Sequence, residues 1–142
     1  MLNNTTRRTF LAGASPAFLS SGASPNSRLR AAVVGCRGRG WDLMQCVHEL
    51  SGPENIELAA MCEVDESVMS DRLKRFEKLG GKRPLTFVDI RKLLEDKSID
   101  VVFHSTPTHW HVLGALWSVQ AGKDAFVEKP MSHNIWEGRK LV

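Results

Sequence analysis

Three glycines stand within six residues, in Gly35-Cys36-Arg37-Gly38-Arg39-Gly40, directly after the apolar run Leu29–Val34. Gly35 permits a tight exit from a strand. Gly38 and Gly40 let backbone approach a pyrophosphate and let a following helix pack close to that strand. The N–H groups that open such a helix face the phosphates, and the helix dipole favours the anion. Arg37 and Arg39 add cations to the same turn. The spacing departs from G-x-G-x-x-G, because Arg37 fills the place of the middle glycine. A glycine turn alone is weak evidence, and Glu63 strengthens it. Glu63 lies 23 residues beyond Gly40 at the end of a second apolar run. That is near the interval of about 20 residues at which an acid accepts the ribose hydroxyls of a dinucleotide. Its charge, with that of Asp65, repels a 2′-phosphate, so the expected cofactor is NAD rather than NADP. The competing reading of Glu63 is a solvated acid at a strand end.

Other chemistry-bearing residues read more plainly. His109-x-His111 is half a metal site with no third ligand at convincing spacing, so no metal is expected. At a helix start the pair suits capping or cofactor contact. His104 lies inside an apolar run and reads as a hydrogen-bonded core histidine. Cys36, Cys46 and Cys62 form no C-x-x-C pair, and an odd count argues against a disulfide framework. They read as small buried thiols. Trp110, Trp117 and Trp136 read as packing residues.

The elements that must position these residues alternate. Strands are expected at 29–35, 56–65, 84–89, 99–107 and 124–130, and helices at 41–52, 65–81, 89–96, 108–123 and from 132. Gly52-Pro53, Gly80-Gly81 and Gly122 end three of the helices, and Pro107 stops the fourth strand. Such alternation implies a parallel sheet covered on both faces, with right-handed crossovers and strand order 3-2-1-4-5. Ligand then binds beyond the carboxyl ends of the strands, at the loops after Gly35, Cys62, Ser105 and Val127.

The first 28 residues read differently. Arg7-Arg8 precede Phe10-Leu11, a mild Ala- and Gly-rich apolar run, and small residues at Ser21-Gly22-Ala23. This is the layout of a secretory signal of twin-arginine type, followed by a linker from Ser24 to Arg28. The alternative is a basic tail. No Asp or Glu precedes Asp42, so loss of Arg7 and Arg8 takes the formal charge from +3 to +1. That charge gives no basic face for nucleic acid, and no apolar run is long enough for a lasting membrane span. The expected location is outside the cytoplasm. The twin-arginine route carries folded proteins, so a bound cofactor can travel with the chain.

Ser105 to Pro130 contains Thr106-Pro107-x-His109-x-His111, then Ala121-Gly122-Lys123, then Glu128-Lys129-Pro130. This order resembles the signature of the glucose–fructose oxidoreductase/inositol dehydrogenase (Gfo/Idh/MocA) family, and Cys62-Glu63-Val64-Asp65 is similar to that family's C-D-V-D. The resemblance spans residues 29–142. It implies an α/β fold, a Rossmann-type doubly wound parallel sheet binding NAD(P), followed in the family by a substrate domain. It further implies that Thr106 and Pro107 line the cofactor, that His111 lies near the nicotinamide side and that Glu128 contacts the nicotinamide end. Lys129 is then the catalytic residue at the reacting hydroxyl, aimed by a cis bond to Pro130. Removing hydride from a carbinol requires its hydroxyl proton to be stabilised or taken up, and an amine serves there. The plain alternative for Glu128-Lys129 is an exposed strand-end pair.

Three functions follow. The first is an exported NAD-dependent oxidoreductase of a sugar or polyol, homo-oligomeric as in the family. The second is glycoside hydrolysis through transient oxidation by retained NAD. The third is an inactive remnant, since the sequence stops at Val142 and the substrate domain is expected to be missing.

Overall fold

A computed structural model describes residues 28–142. The signal and linker reading of residues 1–27 lies outside them. Strand β1 (Leu29–Val34) leads into helix α1 (Gly38–Glu49), then β2 (Ile56–Cys62), α2 (Glu66–Lys78), β3 (Leu85–Phe87), α3 (Ile90–Leu94), β4 (Val101–His104), a 3-10 turn (Thr108–Trp110), α4 (His111–Gln120), β5 (Asp124–Val127) and α5 (Ile135–Leu141). All pairings are parallel, in the order β3-β2-β1-β4-β5. The order expected from the alternation is therefore the order found.

Period-two alternation in β1 feeds two cores. Ala31 and Val33 face α1 and α2, meeting Leu43, Met44, Leu73 and Phe76. Ala32 and Val34 face the other way, toward Leu93, Leu94 and the partly buried Trp117. The central strand is covered on both sides, which explains its unbroken apolar run. The pairing of β1 with β2 slips between Ala31 and Ala32, leaving Ala59 as an extra residue. One extra residue inverts the facing pattern. Ile56 and Leu58 accordingly share a core with Met61, an odd-numbered neighbour.

Three helices start away from the expected residues, α5 at Ile135 rather than at 132 among them. Helix α1 begins at Gly38 rather than Trp41, so the glycine turn itself supplies its first residues. The expected helix at 108–123 divides into a 3-10 turn and α4. Side-chain caps define other starts: Asp65 accepts from the N–H groups of Ser67 and Val68, Asp89 from Arg91, and Asn134 from Glu137. At the far end of the sheet, buried Lys123 donates to the carbonyls of Asp96 (2.5 Å) and Ile99 (3.0 Å). Burial lowers the pKa of its amine from the ordinary lysine value.

Candidate functional site

The glycine turn sits where β1 and β4 diverge to opposite halves of the sheet. Gly35 has φ +83°, a left-handed conformation, and a Cβ there would lie 2.9 Å from the Ser105 carbonyl oxygen. A Cβ on Gly40 would lie 1.8 Å from the Gly35 carbonyl oxygen. Helix α1 thus packs against the strand exit at a separation only glycine allows. Ser105 Oγ holds the same corner, 2.6 Å from the Gly35 carbonyl oxygen. Among the described bonds, the N–H groups of Arg37, Gly38 and Arg39 have no acceptor, while those of Gly40 and Trp41 both reach the Arg37 carbonyl. Three open donors at the start of a twelve-residue helix form an anion cradle.

Glu63 is 8% exposed and pins this turn to the end of β2. Its Oε2 accepts from the Cys36 N–H (2.9 Å) and its Oε1 from the Asp65 N–H (3.1 Å). Each oxygen keeps a second lone pair for a hydroxyl. The sequence treated Glu63 as open to two hydroxyls; the structure shows it already bearing one backbone bond per oxygen. Asp65 caps α2 and pairs with Arg37, so Arg37 turns its side chain toward the β2 side. Ser67 first, and then the α2 backbone, hold the Asp65 carboxyl below its ordinary pKa. Arg72, which the sequence did not single out, supports the turn from behind. Its Nε donates to the Cys36 carbonyl at 2.9 Å, and its guanidinium lies 5.5 Å from the Trp41 ring centre.

A cleft of about 540 Å³ opens on the other side of the turn. Arg39 reaches into it from α1, Thr106 and Pro107 from the loop after β4, and Glu128 and Lys129 from the loop after β5. Arg39 Nε lies 2.6 Å from Glu128 Oε1 and bridges the two sides. That bond holds the Glu128 carboxyl below its ordinary pKa. Lys129 is exposed, makes no ion pair among the described residues, and is joined to Pro130 by a cis peptide bond. Thr106 Oγ1 is buried with no hydrogen-bond partner. A hydroxyl left unpaired costs about 1–3 kcal/mol, so Thr106 is suited to a ligand that supplies the missing bond. His111 is buried and contacts two backbone carbonyls.

The chain therefore gathers its sequence-read site residues into two adjoining groups: Gly35 to Gly40 with Glu63, and Thr106, Pro107 and His111 with Glu128 and Lys129. Among the described residues no three His, Cys, Asp or Glu side chains converge as a metal site, and His109 is exposed while His111 is buried. His104 is fully buried. Its Nε2 is 2.9 Å from Ser118 Oγ, and burial pushes its pKa down to about 4. Burial likewise pushes the Cys36 and Cys62 thiols up to about 12, so neither is a thiolate nucleophile at neutral pH. Cys46, in contrast to its sequence reading, is exposed.

A doubly wound parallel sheet, a glycine turn at its switch point and an acid after β2 define a dinucleotide-binding domain of Rossmann type. The chain belongs to the Gfo/Idh/MocA oxidoreductase family with its NAD-binding Rossmann fold, whose model matches residues 29–142. Over 118 residues it is 30% identical to glycosyl hydrolase family 109 protein 1 of Shewanella sp. strain ANA-3, covering 80% of this chain and 25% of that protein. It is similar to the crystal structure of GenD2 from gentamicin A biosynthesis in complex with NAD, at TM-score 0.69 and 27% identity, over 84% of this chain and 32% of that one. The fold is shared with myo-inositol 2-dehydrogenase from Lactobacillus plantarum, at TM-score 0.67 and 24% identity, over 81% and 32% of the two chains. The chain thus spans about a quarter of the length of such curated relatives.

The residues present fit NAD. Three unpaired N–H donors meet an anion, Glu63 has lone pairs for ribose hydroxyls, and Thr106 Oγ1 lacks a partner in the adjoining cleft.

Proposed function

We propose that this chain supplies the cofactor half of an oxidoreductase that takes hydride from a sugar or polyol carbinol. The observation that carries the reading is the single cleft in which Lys129, Glu128 and Thr106 meet Arg39 of the glycine turn. NAD, when bound, accepts the hydride. The open N–H groups of Arg37 to Arg39 bind its phosphates, with the two guanidinium groups beside them. Glu63 accepts from the adenosine ribose and, with Asp65, disfavours a 2′-phosphate. Thr106 Oγ1 and Pro107 line the middle of the cofactor. Glu128 orients the nicotinamide end, and Lys129 Nζ takes or stabilises the carbinol proton. Lys129, exposed and without an ion pair among the described residues, keeps its amine available to substrate.

A thermal-shift titration tests the cofactor half of this reading. NAD raises the melting temperature of the protein more than NADP does. Glu63→Gln keeps the side chain's shape but puts an amide N–H₂ where one acceptor stood, and shrinks the NAD shift. An equal or larger NADP shift would refute the assignment. In the intact protein Lys129→Met abolishes NADH production from the alcohol while the NAD-induced shift remains.

A second reading, glycoside cleavage through transient oxidation by retained NAD, is consistent with the similarity to glycosyl hydrolase family 109 proteins. Release of nitrophenol from a nitrophenyl glycoside without net NADH selects it; steady NADH formation selects the first. A chain that only binds cofactor gives the thermal shift and neither activity. We further propose export through the Arg7-Arg8 signal. Replacing both arginines by lysine then leaves the precursor in the cytoplasm on fractionation, and unaltered export would sink that idea.

A further inference from the structure

The ring of His111 makes two contacts that one neutral imidazole cannot satisfy. Its Nε2 lies 2.7 Å from the Thr106 carbonyl oxygen and its Nδ1 lies 2.8 Å from the Pro130 carbonyl oxygen. Carbonyl oxygens only accept, so both contacts are hydrogen bonds only when each ring nitrogen carries a proton. The residue is 2% exposed, so little solvent reaches it. Its backbone is fixed as the first residue of α4.

The two carbonyls belong to different loops. Thr106 follows β4, and Pro130 closes the turn after β5 that carries Glu128 and Lys129. The β4–β5 ladder ends where the Glu128 N–H meets the His104 carbonyl at 3.0 Å. Among the described hydrogen bonds, none runs directly between residues 105–110 and residues 129–134; His111 joins them.

The charged groups of the cleft are already paired or face solvent. Glu128, in the same cleft, is paired with Arg39, and Lys129 and His109 are exposed. His104 stays neutral for a geometric reason. The Ser118 hydroxyl donates to the Gly114 carbonyl at 3.0 Å, so it accepts from His104 Nε2–H. His104 Nδ1 then lacks both proton and partner.

We propose that His111 is a positioning residue, a ring with a proton on each nitrogen that clasps Thr106 to Pro130 and so sets Lys129 opposite the nicotinamide end of the cleft. The proposal rests on the cofactor reading of that cleft. It departs from direct contact between His111 and the cofactor, because both nitrogens are already bonded.

Two measurements on the whole chain test it. The first is nitrogen NMR of histidine-labelled protein at pH 7, with the His111 signals assigned by their loss in His111→Gln. Two protonated ring nitrogens are expected; one bare nitrogen overturns the proposal. The second compares NAD with ADP, which needs only the glycine turn and Glu63. His111→Gln keeps a donor near Thr106, and His111→Asn keeps one near Pro130. Each variant weakens NAD binding about tenfold, the loss of one hydrogen bond, while ADP binding stays within about twofold. Equal weakening of both ligands marks a merely structural histidine and overturns the proposal, as does no weakening of either. Should one variant fail to fold, the other and the wild-type spectrum still decide. Wild-type protein that binds neither ligand refutes the cofactor reading instead, and the spectrum then decides the clasp alone.

Discussion

Single residues here act through what they hold. Glu63 was legible from its distance beyond Gly40 and its place after an apolar run. Its bonds to the N–H groups of Cys36 and Asp65 were not, because they depend on how closely two loops approach. His104 was legible as a core histidine because a polar residue inside an apolar strand must find a partner. Its titration follows from the structure. In the unfolded chain its imidazole takes up a proton near pH 6.5, and in the fold only near pH 4. Between those values the unfolded state binds more protons, so stability is lost as the pH falls through this window. The limit is about 3 kcal/mol for His104 alone. Melting temperature measured from pH 7 to pH 4 should therefore drop, and more steeply than in His104→Gln, which cannot take up that proton. Identical slopes in the two proteins would remove His104 as the cause.

At the scale of elements, alternation of strands and helices was readable because each strand is short, apolar and closed by glycine, proline or an acid. Sheet order followed from the same alternation. Boundaries were harder where a helix begins without a side-chain cap. Neither α1 nor α4 has one, and their starts were displaced or divided; α5, capped by Asn134, also begins three residues later than expected. The bridge from Arg39 to Glu128 spans 89 residues of sequence, and no local pattern encodes it. The contact of α1 with β1 gives a sharp test of packing. In Gly40→Ala the added methyl group meets a backbone carbonyl that cannot rotate away. The cost is about 3 kcal/mol, at the upper end of ordinary overpacking, and is read as a fall in the denaturant midpoint. Gly38→Ala meets no such obstruction, although its φ of +24° strains any side chain. It should fall less.

For the whole molecule, burial is uneven. The inner strands β2, β1 and β4 lie between helices, whereas α5 has no buried residue, and Ile135 and Trp136 are exposed. Amide exchange should follow that gradient, with β1 slowest and α5 fastest among the helices; strong protection of α5 would show that its apolar side chains are covered in solution. The paired arginines have a wider consequence. Arg37 and Arg39 each already face a carboxylate, so a pyrophosphate does not meet bare cations. Its arrival exchanges one anion for another and leaves the number of close ion pairs nearly unchanged. Added salt screens the pairs lost and the pairs gained alike. Cofactor affinity should therefore move by less than about threefold over a tenfold rise in ionic strength. A cofactor held by such an exchange of partners stays in place as the salt around the protein rises or falls.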